Sequence, residues 1–284
     1  MNPVALREEF KSQEISISAA KSFLSFVECS SFPVLYSNLH ALIIPCSMRM
    51  LTAQDAQVKL IVCESLNTIC QKKDFSADPF VKMKIDHLWI DSLLGNFTFK
   101  DPTTMRPIFH TVDCLISHCH LMKHSIEYCQ LWDKFAKVLF STCILLESVE
   151  QRRIILQIAT DLVSRLEVAT VLYAKDFLLL VEGCLRMETF DVCFEQFLCT
   201  FISYIWAVLG EFLGMLLGIL MEFVSLNHES FHECHCESIK RILKLLSDAM
   251  QNEQEFISIF QHAAAAFPPP IHALLNAFVC QNSA

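Results

Sequence analysis

Two stretches of this chain gather side chains that could hold a metal. Residues 228–236 read His-Glu-Ser-Phe-His-Glu-Cys-His-Cys, so His228, His232, Cys234, His235 and Cys236 offer the imidazole and thiolate donors that zinc prefers. Their spacing does not fit a known finger. Cys-x-Cys is tight, and no second pair follows at about 12–20 residues. The stretch also falls where a polar connection between helices is expected, which favours a solvated loop. The second group is Cys114, His118, Cys119, His120 and His124. Cys114 and His118 lie one turn apart, as do His120 and His124, but the two pairs point about 200° apart on a helix and do not converge. A seam of buried cysteine with exposed histidine is the expectation there. No metal and no cofactor is assigned.

Nucleophilic and phosphate chemistry find no footing either. The chain has no Gly-x-Ser-x-Gly elbow, no Walker or Rossmann loop and no Cys-x-x-Cys pair. With 5 Gly in 284 residues, such loops could hardly occur. Aspartates and glutamates are scattered along polar faces, and no base stands beside a nucleophile. The reading is a protein that is not an enzyme, with no catalytic residues.

Composition points to what the chain is made for. Hydrophobic residues are 53% and charged residues 19%, against a usual share of about a quarter, which excludes disorder as the main state. There are 23 Phe and 14 Cys, and the 9 Pro are clustered. So few glycines disfavour a turn-rich β fold and favour long helices joined by short polar links. The formal charge is −9, from 22 Lys and Arg against 31 Asp and Glu. The densest basic pairs, Lys72-Lys73, Arg152-Arg153 and Lys240-Arg241, are isolated. Direct nucleic-acid binding needs a basic stripe and is not expected. The N-terminus has no basic segment followed by an apolar one, so no secretory signal is read. Buried thiols in a reducing compartment follow, with a cytoplasmic location and the nucleus as a second one. The sequon Asn96-Phe97-Thr98 is taken as a chance match.

Helical periodicity dominates the elements. Helices are expected at 8–28, from Pro33 toward Met50, and at 51–70 with Thr52 as N-cap. In the last of these, Val58, Ile61, Val62, Ser65, Leu66 and Ile69 make a single stripe at i, i+3, i+4, i+7 spacing. Asp78-Pro79 opens a helix to residue 94, ended by Gly95, and Asp101-Pro102 opens another to about Met122. Further helices are expected at 125–147, 149–165, 168–187, 189–206, 208–226, 234–250 and 253–263. Pro268-Pro269-Pro270 breaks the pattern, and a short helix at 271–280 follows. Helices thus recur about every 20 residues and pairs about every 40, the HEAT/armadillo period. The expected fold is all-α, an α-solenoid of about six HEAT/armadillo-like helical hairpins. It is read as one domain over 1–284, with 264–284 a C-terminal tail and short helix.

A membrane reading competes. Residues 197–221 contain one charged side chain, Glu211, and are long enough to span a bilayer. Gly210, Gly214 and Gly218 form a small-xxx-small ladder. Against this, no Lys or Arg lies between Arg186 and Lys240 to orient a span, and Glu222 follows at once. On a helical wheel Glu211, Gly214, Gly218, Glu222 and Ser225 fall on one arc. Phe212, Leu216, Ile219, Leu220, Phe223 and Val224 fall opposite. That is amphipathic, and two adjoining solenoid helices, buried more deeply than the rest, are the preferred reading.

The tail is the candidate partner contact. From Phe256 onward the chain has no Lys, Arg, Asp or Glu. It carries Phe256, Phe260, Phe267, Ile271, Leu274, Leu275 and Phe278, taken as candidate partner-binding residues. A tail so apolar is either folded back on the preceding helix pair or buried by another protein.

Three blocks together carry a resemblance. The first is residues 51–70, where Asp55, Val58, Lys59, Val62, Leu66 and Ile69 fit the second helix of a HEAT-type repeat. The second is 163–185, Val-Ser-Arg-Leu-Glu-Val-Ala-Thr-Val-Leu-Tyr-Ala-Lys-Asp-Phe-Leu-Leu-Leu-Val-Glu-Gly-Cys-Leu. The third is the Trp206-containing helix pair, 189–226. In order and apolar spacing they resemble, over about 50–260, the C-terminal helical-repeat part of the Tti-two family, the second Tel-two-interacting proteins of the TTT co-chaperone complex. The resemblance implies a non-enzymatic scaffold. Its partners would be Tel-two and Tti-one subunits and phosphatidylinositol-kinase-related kinase clients, which the complex helps to mature with the heat-shock chaperone machinery.

Overall fold

A computed structural model describes residues 15–72, 85–97, 102–119, 125–143, 148–185, 192–227, 233–250 and 252–280. Among the described residues every regular element is a helix, so the fold is all-α as expected. The chain divides into two compact units, Met1–Thr142 and Cys143–Ala284.

In the first unit, α1 (Ile17–Cys29) is opened by Ser16, whose hydroxyl accepts a hydrogen bond from the Ala19 N–H at 3.1 Å. The helix expected from Pro33 to Met50 is three pieces: α2 (Phe32–Ser37), a π-turn (Leu39–Ile43) and α3 (Ile44–Leu51). Pro45 accounts for the break. It has no N–H to give, and its ring displaces the carbonyl four residues back. The backbone widens just ahead of it, and the Ile43 N–H reaches the Asn38 carbonyl at 3.1 Å.

The next helix, α4 (Ala56–Gln71), is capped by Asp55 rather than by Thr52. The Asp55 carboxylate accepts from the Gln57 N–H at 2.7 Å, while Thr52 closes α3 by donating to the Arg49 carbonyl. A short carboxylate satisfies the free N–H groups of a helix start and meets its positive end. The expected stripe is buried at Val58, Val62, Ser65, Leu66 and Ile69, and partly at Ile61. Then come α5 (Ile85–Gly95), α6 (Pro102–Cys119) and α7 (Ile126–Cys143). Gly95 and Pro102 mark ends as expected. The Asp78-Pro79 start lies outside the described residues.

The unit has two layers. One is α1, α4 and α6, each packed on the next. The other holds α3 and α5, with α7 joined to α5 by a Lys134–Asp91 ion pair at 3.0 Å. Phe135 of α7 meets Phe97 and Phe109 edge-on, with ring centroids 5.3 and 5.1 Å away.

In the second unit, α8 (Val149–Leu166) starts with a reciprocal cap. Ser148 Oγ accepts from the Gln151 N–H, and Gln151 Oε1 accepts from the Ser148 N–H. The helix expected at 168–187 is shorter. Glu167 takes a φ of 51°, which ends α8, and Glu167–Tyr173 winds as a 3₁₀ helix before α9 (Ala174–Leu185). There follow α10 (Val192–Ile205), a 3₁₀ turn (Trp206–Val208), α11 (Leu209–Asn227), α12 (Glu233–Met250) and α13 (Glu253–Ala264). The last helix, α14 (Pro269–Cys280), begins on the prolines rather than after them. Proline suits a first turn, where its missing N–H costs no bond.

This unit too is two layers: α8, α10, α12 and α14 in one, and α9, α11 and α13 in the other. Phe177 of α9 packs on Phe197 and Phe201 of α10 between them, with centroids 5.8 and 5.6 Å apart.

Candidate protein-binding surface

The tail residues come first. Phe256 and Phe260 are buried on α13, and Ile271 and Leu275 are buried one turn apart on α14. Phe267, in the link between these helices, is half-buried. The side chains of Leu274 and Phe278 lie outside the described residues. α14 packs against α11, α12 and α13. Burial of apolar area against those helices therefore holds the tail, and four of the seven candidates face the core of their own unit.

The apolar run 197–221 is carried by two helices, α10 and α11, separated by the 3₁₀ turn at Trp206–Val208. By length and composition alone, Val192–Leu226 could cross a membrane, and half of its most apolar window is buried within the protein. The wheel read from sequence holds on α11. Glu211, Gly214 and Glu222 are exposed and Gly218 and Ser225 half-buried, while Leu216, Ile219, Leu220, Phe223 and Val224 are buried and Phe212 half-buried. A Cβ built at Gly210, Gly214 or Gly218 would meet nothing within 4 Å, so the chain itself does not use the ladder for close packing.

Each histidine-cysteine group lies only partly within the described residues. Among the described residues no three His, Cys, Asp or Glu side chains are placed to hold a metal. His228 and His232 lie outside the described residues, as do His120 and His124 of the second group. α12 begins at Glu233, so Cys234, His235 and Cys236 belong to its first turn and not to a loop. Cys114 is buried on α6, as the seam reading expected.

Two thiols are held protonated. Burial pushes Cys63 up to about 11, with a hydrogen bond from Thr111 acting the other way. Burial also raises Cys199, followed by the nearby Glu195 carboxylate, while Arg241 lowers it. Neither is poised as a nucleophile.

Sequence reasoning missed the polar link beside Cys199. The Glu195 carboxylate of α10, 15% exposed, accepts from Ser238 Oγ at 2.6 Å and pairs with Arg241 Nη1 at 3.2 Å, both on α12. It also missed where large apolar side chains meet water. On the α9–α11–α13 layer and its 3₁₀ entry, Leu172 is 79% exposed, Leu179 53% and Met215 44%.

No protein-family model, no curated protein and no solved structure matches the chain.

Proposed function

We propose that this chain is a non-enzymatic protein-interaction scaffold built from HEAT/armadillo-like helical hairpins. One observation carries the reading. Polar links between helices two apart within a unit recur at separations of 36 to 48 residues, from Gln157–Cys193 to Thr111–Cys63, and most fall close to 42. Trp89 bonds Ser47 across 42 residues, Lys134 pairs with Asp91 across 43, and Ser238 bonds Glu195 across 43. Lys72 caps the end of α1 by donating to the Glu28 and Ser30 carbonyls, 44 and 42 residues away. A separation near 40 residues in two layers is the pattern of stacked hairpins, whose outer faces serve as binding surfaces.

With the resemblance to the Tti-two family, the specific proposal is a TTT-like co-chaperone subunit. It would act with Tel-two and Tti-one in the cytoplasm and nucleus to support kinase maturation. Co-purification of the full chain from cells, read by mass spectrometry, tests this. Recovery of both subunits in stoichiometric amount supports it; their absence from a soluble, folded bait overturns the co-chaperone assignment.

The run Val192–Leu226 keeps a membrane-embedded protein as the second reading. Expression separates the two. A scaffold stays in the supernatant without detergent, and an integral membrane protein does not.

A further inference from the structure

We propose that the outer face of the α9–α11–α13 layer docks a basic amphipathic helix of a partner protein. The proposal rests on the scaffold reading and names the chemistry of the partner.

Apolar side chains come first. Leu179 is exposed on α9, and Met215 and Leu226 on the exposed arc of the neighbouring α11. Each leaves about half or more of its side chain in water, while the opposite arcs of both helices are packed inward. Methionine and leucine on a helical face suit the apolar stripe of an incoming helix.

Charge selects the occupant. The exposed arcs of α9, α11 and the first turn of α13 carry Asp176, Glu211, Glu222 and Glu255, against the one described lysine on these helices, Lys175. No ion pair among the described residues neutralises Glu211 or Glu222. No Lys or Arg occurs between Arg186 and Lys240, so none on α10 or α11 can do so. A surface of apolar side chains set among uncompensated carboxylates attracts a helix whose polar flanks are Lys and Arg. It repels an acidic partner or an anionic lipid surface.

Shape agrees. The Cβ positions of Gly210 and Gly214 on this arc, and of Gly183 on α9, are open. Each such glycine costs about 0.5–1 kcal/mol in a helix interior relative to alanine, with no packing gain inside the chain. The open positions let another backbone come close over α11.

The test uses the full chain and two labelled model helices of about twenty residues with the same Leu stripe, one flanked by Lys and one by Glu, followed by fluorescence anisotropy. The expected result is saturable binding of the Lys-flanked helix alone, weakening by about tenfold or more between ~50 and ~500 mM salt. The paired substitution Glu211→Lys/Glu222→Lys, and separately Gly214→Leu, should each weaken it by about tenfold while circular dichroism stays unchanged and the unfolding midpoint does not fall; for Gly214→Leu the midpoint should rise, since a helix-interior glycine is replaced. Equal binding of both helices, no binding of either, or variants that bind as the wild type overturns the proposal. So does flotation of the wild type with phosphatidylcholine vesicles that the Gly214→Leu variant loses, which would make the face a lipid contact. Failure here with Tel-two and Tti-one still co-purifying leaves the scaffold reading standing. Loss of both subunits with Lys-flanked binding intact overturns the co-chaperone assignment and leaves this docking face and the scaffold reading standing.

Discussion

Trp89 Nε1 donates a hydrogen bond to Ser47 Oγ at 2.9 Å, and both side chains are wholly buried in the first unit. Ser47 in turn donates to the Ile44 carbonyl at 3.1 Å, so one hydroxyl serves the indole of α5 and the backbone at the start of α3. The contact ties two helices of one layer at a point where the π-turn has just reset the phase of the chain.

Replacing Ser47 by Ala removes this acceptor from a buried indole N–H and should cost about 1–3 kcal/mol. Urea unfolding reads the loss. Combining Ser47→Ala with Trp89→Phe should cost less than the sum of the two single changes, since the pair is then removed together. Strict additivity would show that the bond contributes nothing.

Glu167 is the one described non-glycine residue at positive φ, at 51°. An L side chain is strained there, and glycine is not. Glu167→Gly should therefore be more stable than Glu167→Ala by about 1 kcal/mol, both variants having lost the same carboxylate. Comparing the two cancels the side-chain contacts and isolates the backbone. If the alanine variant proves equal or more stable, the turn between α8 and α9 is not held in this conformation.

The helices themselves were legible in the residues. Val58, Val62, Leu66 and Ile69 repeat at helical spacing and are buried together, and Pro102 and Gly95 stand at helix ends. The breaks were not. Pro45 falls in a run of good apolar spacing, and its effect depends on how the backbone ahead of it rearranges. Glu167 sits between two apolar runs with nothing in its side chain to announce a left-handed turn. The candidate surface was harder still. Leu178, Leu179 and Leu180 are alike in sequence, yet only the middle one is in water. Which arc of a helix faces a neighbour is settled by packing partners 40 or so residues away, and apolar spacing alone does not say which of two arcs is left over. The tail shows the same limit, because Ile271 and Leu275 would look identical covered by their own chain or by another.

Cys63 gives a pH test. Its thiol is pushed from the ordinary 9.0 up to about 11, mainly by burial. A raised value in the folded state means that the protonated form is the one the fold favours. The stability it lends is complete below about pH 9 and is lost as pH rises through about 11. The wild type should lose unfolding free energy over that window more steeply than Cys63→Ala, which starts lower because of the cavity it leaves. Alkylation at pH 8 should also mark the exposed Cys29 and Cys129 well before Cys63. Labelling of Cys63 at the rate of Cys29 would contradict its placement.

The C-terminal helix can be tested in place. Leu275 is 2% exposed and lies one turn from the buried Ile271, on the side of α14 that meets α11, α12 and α13. If the tail is held there in the free protein, Leu275→Ala empties a packed site and should cost about 2–5 kcal/mol. Were the tail instead loose until a partner covers it, the same change would cost the isolated chain almost nothing. Ala273 and Ala277, exposed on the opposite side of the same helix, provide the control. Changing either to Ser should shift the unfolding midpoint by no more than a surface substitution does, about 0.5 kcal/mol or less. A large loss at Leu275 with none at Ala277 fixes the tail on its own unit. A flat response at Leu275 would return its apolar residues to the list of partner contacts.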